Sequence, residues 1–497
     1  MAWLLLWLGC GGPGSSDTSP SDDPSEPVTE DSASNPTVAP WAEGPHAASR
    51  AALHTDGFIV SDGALVFSTM EGCCNWFANC WGNNPSTPYG AYALPAAPGQ
   101  APRPDVLFDD FGPVPPDLSR DFLLRPDEAI VWLGTMPPKA RYFGFRSYLG
   151  LRPDAGYPII GSLGAATNHL TVEAQRGEPA WGQPIALVTT ADAGIEARVT
   201  EALVAGGWPR AHIAFDRMAP VVSLGLDPER HDSVYTTMRV AEYDDPDAGQ
   251  AWQQDPGVVW RLTLDAPPPA QPHGMPDLLP RGSGEDESAW SAARDQLEVA
   301  VVDHFQALGA VQLESVVPYW RETLACIEDG QSCAGDIRDR FVGITPVFRL
   351  PDTQDLIVAF GVNHEATGRA SYSSVSIQTI DNQRGIASFT SAVMPGSARP
   401  FLDHPLVDDL YVVLFARDCT PYASYQCIEV PYECPGGPGR ETLKLTGRAY
   451  LDPATGVAPA EEELLPDRVL LVLPSGSPPT MSGTGDTGSA CAPTSTP

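Results

Sequence analysis

PIALVTTADAGIEARVTEALVAGGWPRAHIAF, residues 184–215, is the most explicit local unit in the chain. Its opening PIALVTT (184–190) is an unbroken apolar and β-branched run, the pattern of a strand buried on both faces. Asp192 follows at the position where a short carboxylate satisfies the free N–H groups of a helix start. Ile195, Val199 and Leu203 then recur every four residues on one helical face, and Gly206-Gly207 ends the helix. AHIAF (211–215) supplies a returning strand. Strand, helix and strand make a β-α-β unit, whose crossover is right-handed and whose strands are parallel.

Outward from this unit, strands dominate. EAIVWLGTM (128–136) and ARYFGFRSYLG (140–150) precede it, the second alternating Tyr142, Gly144, Arg146 and Tyr148 with Phe143 and Phe145. FIVSDGALVFSTM (58–70) reads as a hairpin turning at Ser61-Asp62-Gly63, and GVVWRLTL (257–264) as a further strand. The Pro-rich APPPAQPHGMPDLLPRGSG (266–284) reads as a hinge. A helix follows from about Ser288 to Leu308, with Trp290, Leu297, Val301, Phe305 and Leu308 on one face and Gly309 as its stop. DLIVAFGV (355–362), SYSSVSIQTI (371–380), DLYVVLFA (409–416) and DRVLLVLP (467–474) are strands. The expected class is α+β: a strand-rich, loop-rich body of two lobes, 48–265 and 285–474, joined at 266–284.

Composition supports that class and narrows function. The chain has 497 residues, of which 42% are hydrophobic, enough for substantial cores. Its 52 prolines are about twice the ordinary share, which favours short strands and many loops. Lys and Arg number 29 against 63 Asp and Glu, a net charge of −34. Such a surface repels phosphate backbones and excludes nucleic acid as a partner. Lys139 and Lys444 are the only lysines. No apolar run reaches the roughly 18 residues of a membrane helix.

The N-terminus reads MAWLLLWLGC, an apolar block from Trp3 to Leu8 leading into Gly9 and Cys10. Leu8-Gly9-Cys10 resembles the end of the lipobox of bacterial lipoproteins, although Trp7 stands where that box usually has Leu and no Lys or Arg precedes the block. The resemblance implies a signal peptide (1–9), cleavage before Cys10, acylation of Cys10 and residence in the cell envelope, facing periplasm or exterior. Gly11 after the Cys leans toward an outer membrane. Residues 10–47 then form a lipidated Cys and an acidic linker too poor in apolar groups to offset its ordering entropy. The tail from 475 to 497 is similarly low in complexity. Farther on, RYFGFRSYL followed by GSLGAATN resembles segments of uncharacterised exported bacterial proteins, a likeness that implies no activity.

Export gives the cysteines a meaning. Apart from Cys10 and Cys491, eight remain: Cys73, Cys74 and Cys80; Cys326 and Cys333; Cys419, Cys427 and Cys434. An even number in an exported chain reads as disulfides. CIEDGQSC (326–333) is a loop that one bridge closes. Each triplet makes one internal bridge and leaves one Cys over, so parity joins the 73–80 cluster to the 419–434 cluster. The spacing lacks paired CxxC units and interleaved His, so no metal is expected.

Chemistry-bearing candidates are few. Ser162, Asn168 and His169 gather in the polar loop GSLGAATNHL (161–170), which is neither a nucleophile elbow nor a phosphate loop. Asp192 lies just past the carboxyl end of a parallel strand, where α/β units place ligands, and is equally placed to cap a helix. Asn363-His364-Glu365 makes neither HExxH nor a three-ligand set. Arg146 reads as the partner of one of the many acids. Asp486-Thr487-Gly488-Ser489 resembles an aspartic-protease loop, but it lies in a low-complexity tail without a preceding strand. No cofactor is expected. The reading is a lipid-anchored extracytoplasmic protein of the binding or envelope-surface kind, which binds another macromolecule or braces the envelope, with its protein or small-molecule partner unspecified; the alternative is an extracytoplasmic hydrolase with its site near Asp192, His169 and Ser162. If Cys10 carries the lipid, Cys10→Ser moves the protein from the membrane pellet to the soluble fraction. A wild type that is already soluble sinks the anchor.

Overall fold

Strands from the first half of the chain pair into one sheet. They are β1 (Phe58–Phe67), β2 (Gly90–Pro95), β3 (Leu118–Ser119), β4 (Ala129–Thr135), β5 (Ala140–Leu151) and β6 (Pro158–Ser162). Then come β7 (Thr167–Asn168), β8 (Pro184–Thr190), β9 (Ile213–Arg217), β10 (Val234–Tyr243) and β11 (Val258–Leu264). The spatial order is β6-β5-β10-β2-β1-β11-β4-β8-β9, with β3 on β2 and β7 on β5. The computed structural model describes residues 44–68, 89–104, 112–266, 268–319, 323–333, 335–380, 385–431 and 442–474.

Three helices attend this sheet: α1 (Gly44–Thr55), α2 (His169–Arg176) and α3 (Ala193–Ala205). The β-α-β unit forms as its periodicity predicts. β8 and β9 are parallel, with Ala186 opposite Ile213. Asp192 caps α3 by accepting from the Ile195 N–H, and Gly206 closes its end. Ile195, Val199 and Leu203 of α3, with Leu53 of α1, bury one face of the sheet at Val131, Val188 and Leu262. The other face packs Trp132, Phe143, Phe145, Leu187 and Met238 together.

The sheet does not lie open. β5 and β9 stand near opposite ends of the strand order, yet the Arg146 Nη1 lies 2.5 Å from the Asp216 Oδ1, and neither side chain has exposed surface. Asp216 also accepts from the hydroxyls of Thr189 (3.2 Å) and Ser147. Arg146 further donates to the Arg217 carbonyl at 3.1 Å. The path therefore curls back on itself around its apolar core.

The hairpin expected at Ser61-Asp62-Gly63 is not formed. β1 runs straight through those residues and changes partner along its length, from β11 (Gly63 opposite Val259) to β2 (Ala64 opposite Ala93). Gly63 serves close approach rather than a turn, since a Cβ there would lie 2.7 Å from the Ala93 carbonyl oxygen.

The second half contributes β12 (Ala310–Ser315), β13 (Val317–Pro318), β14 (Arg340–Ile344), β15 (Leu356–Val362) and β16 (Tyr372–Thr379). β17 (Gly385–Thr390), β18 (Leu410–Ala416), β19 (Cys427–Glu429), β20 (Leu443–Tyr450) and β21 (Arg468–Leu473) complete it. They form two sheets, β12-β21-β15-β18-β19 and β13-β14-β20-β16-β17. Val375, Ile377 and Leu445 of one meet Ile357, Val413 and Leu471 of the other. Helix α4 (Pro246–Gln254) precedes β11, and α5 (Ser291–Phe305) buries Leu297, Val301 and Phe305 on the outer face, against Val358, Val412 and Leu470. Leu308, expected on that face, is 46% exposed because α5 stops at Phe305. The body is a strand-rich α+β fold.

The 266–284 stretch is tied along its length. Gln271 accepts from the Ala193 N–H (2.8 Å), the His273 N–H donates to the Ala191 carbonyl (2.9 Å), and the Gly282 N–H donates to the Ala458 carbonyl (3.0 Å). Helix α6 (Thr323–Glu328) leads into the Cys326–Cys333 bridge, whose Cα atoms are 5.7 Å apart. That loop docks on the first sheet, the Cys333 N–H donating to the Ile159 carbonyl at 2.7 Å. A second bridge joins Cys419 to Cys427, with Cα atoms 5.8 Å apart.

Cys10, Cys73, Cys74, Cys80, Cys434 and Cys491 lie outside the described residues. With these two bridges made, a fully oxidised body would have to pair Cys434 with one of Cys73, Cys74 and Cys80. Such a bridge would restrict the unfolded chain by up to roughly 5 kcal/mol, less any strain. Non-reducing peptide mapping should recover a Cys434 peptide linked to the 73–80 peptide. Free thiols on both peptides would refute the pairing.

Candidate functional site

Ser162 and Asn168 sit at the seam between the first sheet and Asp336 and Asp339, with His169 next to Asn168 in the chain. Ser162 is fully buried; its Oγ donates to the Gly164 carbonyl (3.2 Å) and its N–H donates to the Asp336 Oδ1 (3.2 Å). Asn168 caps α2, accepting from the Thr171 N–H at 3.0 Å. Its Nδ2 donates to the Asp339 Oδ1 (3.1 Å) and the Gly456 carbonyl (2.9 Å). His169 stacks on Trp181 at 4.8 Å between centroids, and its Nδ1 accepts from the Phe143 N–H at 3.4 Å. Burial pulls this imidazole down to about 4, so it is neutral at ordinary pH. Asp192 stands elsewhere: one carboxylate oxygen accepts from the Ile195 N–H (2.9 Å), the other from the Gln271 N–H. Among the described residues no hydrogen bond or ion pair joins Asp192 to the other three. Cys326, Cys333 and Asp336 are close enough to share a metal ion, but the two sulfurs are spent on each other.

A larger constellation went unread in the sequence. The outward alternation of β20, Lys444-Thr446-Arg448-Tyr450, lies beside Tyr372, Ser374, Ser376 and Gln378 of β16 and Arg340 of β14. Opposite lie Tyr142 and Tyr148 of β5 with Tyr235 and Arg239 of β10. The two faces meet: Tyr142 and Tyr450 are 4.7 Å apart between centroids, and Tyr372 and Tyr450 are 5.3 Å apart. Arg239 and Arg448 are 5% and 6% exposed. Arg239 lies over the rings of Tyr89 and Tyr148, 5.5 Å from each centroid, and donates through Nη2 to the Tyr148 hydroxyl (2.9 Å). Arg448 donates through Nη1 to the Ser376 Oγ (3.1 Å). Among the described residues, the Nε and Nη1 of Arg239, the Nε of Arg448 and the Tyr89 hydroxyl have no hydrogen-bond partner.

Burial perturbs the basic groups of this chamber. Burial pulls Lys444 down to about 8, and the nearby Arg448 charge works in the same direction. Burial likewise lowers Arg448 to about 10, with Arg340 adding its repulsion. The acids at hand are engaged. Asp339 accepts from the Tyr142 hydroxyl (2.9 Å) and from Asn168, and burial still lifts it to about 6. Glu242 accepts from the Thr390 hydroxyl. The signal in the sequence was the polar alternation of LKLTGRAY (443–450) holding one of only two lysines.

A second cluster surrounds His364. Its Nδ1 is 2.8 Å from the Glu287 Oε1, which also accepts from the Thr367 hydroxyl (2.7 Å); the other Glu287 oxygen accepts from the Leu465 N–H (2.8 Å). The His364 Nε2 faces the Asp467 carboxylate at 4.0 Å. Asp467 fits between Gly361 and Gly447, where a Cβ would come within 2.6 and 3.1 Å of its oxygens. A cavity of about 330 Å³ opens beside it, lined by His364, Asp467, Phe341, Glu461 and Glu462 among others. Burial disfavours the imidazolium, but Glu287 and then Asp467 outweigh it and raise His364 to about 9.

No family model matches the chain, and no curated protein matches it. Among solved structures, an uncharacterized protein from Burkholderia cenocepacia is 13% identical, with 88% of this chain and 92% of that one covered and a TM-score of 0.40. A protein from Vibrio parahaemolyticus is 12% identical, with 71% and 87% covered and a TM-score of 0.33.

The His364 cluster generates a pH dependence with a definite sign. The folded value, about 9, exceeds the unfolded value of about 6.5, so its stabilisation is complete below pH ~6.5 and fades as pH rises through about 9. Denaturant titrations should lose on the order of 2 kcal/mol between pH ~6 and ~9.5. His364→Asn should be less stable at pH ~6 and show a flatter profile across that window. An unchanged slope in the variant would contradict the assignment.

Proposed function

We propose that the protein is an extracytoplasmic binding protein, tethered through a lipid on Cys10, which holds a small ligand between the tyrosine and arginine faces of its two halves. The observation that carries this reading is the pair Arg239 and Arg448, each more than nine-tenths buried with guanidinium N–H groups that no acceptor takes among the described residues. Buried donors left unmade cost about 1–3 kcal/mol apiece, more when charged, and a fold keeps such groups where something else completes them. Two supports favour export: the lipobox-like start and the disulfides, which belong to oxidising compartments. Among the described residues no helix is long and apolar enough to cross a membrane, which leaves a terminal lipid as the tether in this reading.

Binding is favoured over hydrolysis by what the other candidates already do. The Ser162 hydroxyl donates to the Gly164 carbonyl, and both Asp192 oxygens accept from backbone N–H groups. His169 stacks on Trp181, and its Nδ1 is taken by the Phe143 N–H.

The reading is tested on protein gently purified from its own envelope. Native mass spectrometry should show a non-covalent adduct of small-molecule mass that disappears on denaturation and is absent from Arg239→Gln. A bare polypeptide mass, acyl chains aside, in both wild type and variant would overturn it.

A further inference from the structure

We propose that the chamber's ligand is a small oxyanion, held between the Arg239 and Arg448 guanidinium groups and capped by the Tyr89 hydroxyl. This rests on the binding reading above and names its chemical class.

The donor inventory leads there. A guanidinium carries five N–H donors and no acceptor, so whatever completes it is an acceptor. Arg239 spends Nη2 on the Tyr148 hydroxyl and keeps Nε and Nη1; Arg448 spends Nη1 on Ser376 and keeps Nε. The two come from different sheets, β10 and β20. Tyr89 lies in the field of both, and of Arg340 as well. An oxyanion is the acceptor type that a converging set of charged N–H groups holds most strongly, through short charge-assisted bonds.

Burial points the same way: Arg239 and Arg448 are 5% and 6% exposed, and a buried charged donor persists where an acceptor completes it, most strongly a charged one. The aromatic walls, Tyr142, Tyr148, Tyr235, Tyr372 and Tyr450, exclude water and strengthen each of these contacts.

The test is isothermal titration calorimetry on the full chain, first stripped of bound small molecules by partial unfolding and refolding. Inorganic phosphate, sulfate and succinate are titrated separately against a chloride background of equal ionic strength. Saturable one-to-one binding of at least one of them is expected; the phosphate and sulfate arms distinguish a tetrahedral head group from a carboxylate. Affinity should fall at least tenfold in Arg239→Gln and in Arg448→Gln and stay unchanged in Arg399→Gln, an exposed arginine paired with Asp408. If an arginine variant fails to fold by circular dichroism, Tyr89→Phe keeps the ring, removes one donor and should weaken binding severalfold. No saturable binding in any arm, or binding undiminished in the chamber variants, overturns the proposal and leaves water as the occupant. A native-mass adduct from envelope-purified protein alongside failure of all three anions would reject the oxyanion class while the binding reading stands; absence of both rejects the two together.

Discussion

The ion pair between Arg146 and Asp216 is the interaction on which the first half of the body depends. It spans strands that the hydrogen-bond ladder places near opposite ends of one sheet, and it is wholly buried. Removing one partner from such a pair typically costs about 3–5 kcal/mol, because the other charge is left behind without water. The Asp216 Oδ2 accepts from two hydroxyls besides, and Arg146 donates to backbone carbonyls, while Oδ1 is left to the ion pair alone. Tyr142, Tyr148 and Arg239 lie on the face of β5 and β10 opposite the apolar core that the curled sheet encloses. They must be covered by something equally polar. The β14-β20-β16 sheet, with its alternating tyrosines, hydroxyls and cations, is that cover.

That dependence explains which parts of the fold were legible. The β8-α3-β9 unit could be read because its signals are local: an apolar strand, a cap, a four-residue periodicity and a glycine stop. Strands such as Leu356–Val362 and Leu410–Ala416 announced themselves by composition, being buried on both faces. β10 and β20 did not. VYTTMRVAEY and LKLTGRAY alternate in the manner of a strand with one wet face, and nothing local says that the polar face is closed by another sheet. Ser61-Asp62-Gly63 misled for a related reason: turn residues occupy a strand where two partners crowd the backbone.

The candidate site divides along the same line. The 161–170 loop was legible as a polar cluster, and Asn168 does reach the edge of the chamber through Asp339. Asp192 was legible as a cap. His364 was visible but unpersuasive, since Glu287 lies 77 positions away and no spacing rule links them. Arg239, Arg448 and Tyr89 come from three strands or strand ends in two halves of the chain, so their convergence is a property of the folded state alone. Where chemistry is assembled from distant segments, single-sequence motifs are silent.

The separation of charge between the inside and outside of this body has a kinetic consequence. An incoming anion would first meet the field of a strongly acidic exterior and only afterwards the cationic interior. Electrostatic steering would then oppose encounter while favouring retention, the reverse of proteins whose surfaces draw their ligands in. Added salt shortens the screening length to about 8 Å near physiological strength, which weakens the outer repulsion far more than the buried attraction. Uptake would therefore quicken as ionic strength rises, and release would stay slow. If an anion is the ligand, discrimination would lie in residence time rather than in encounter.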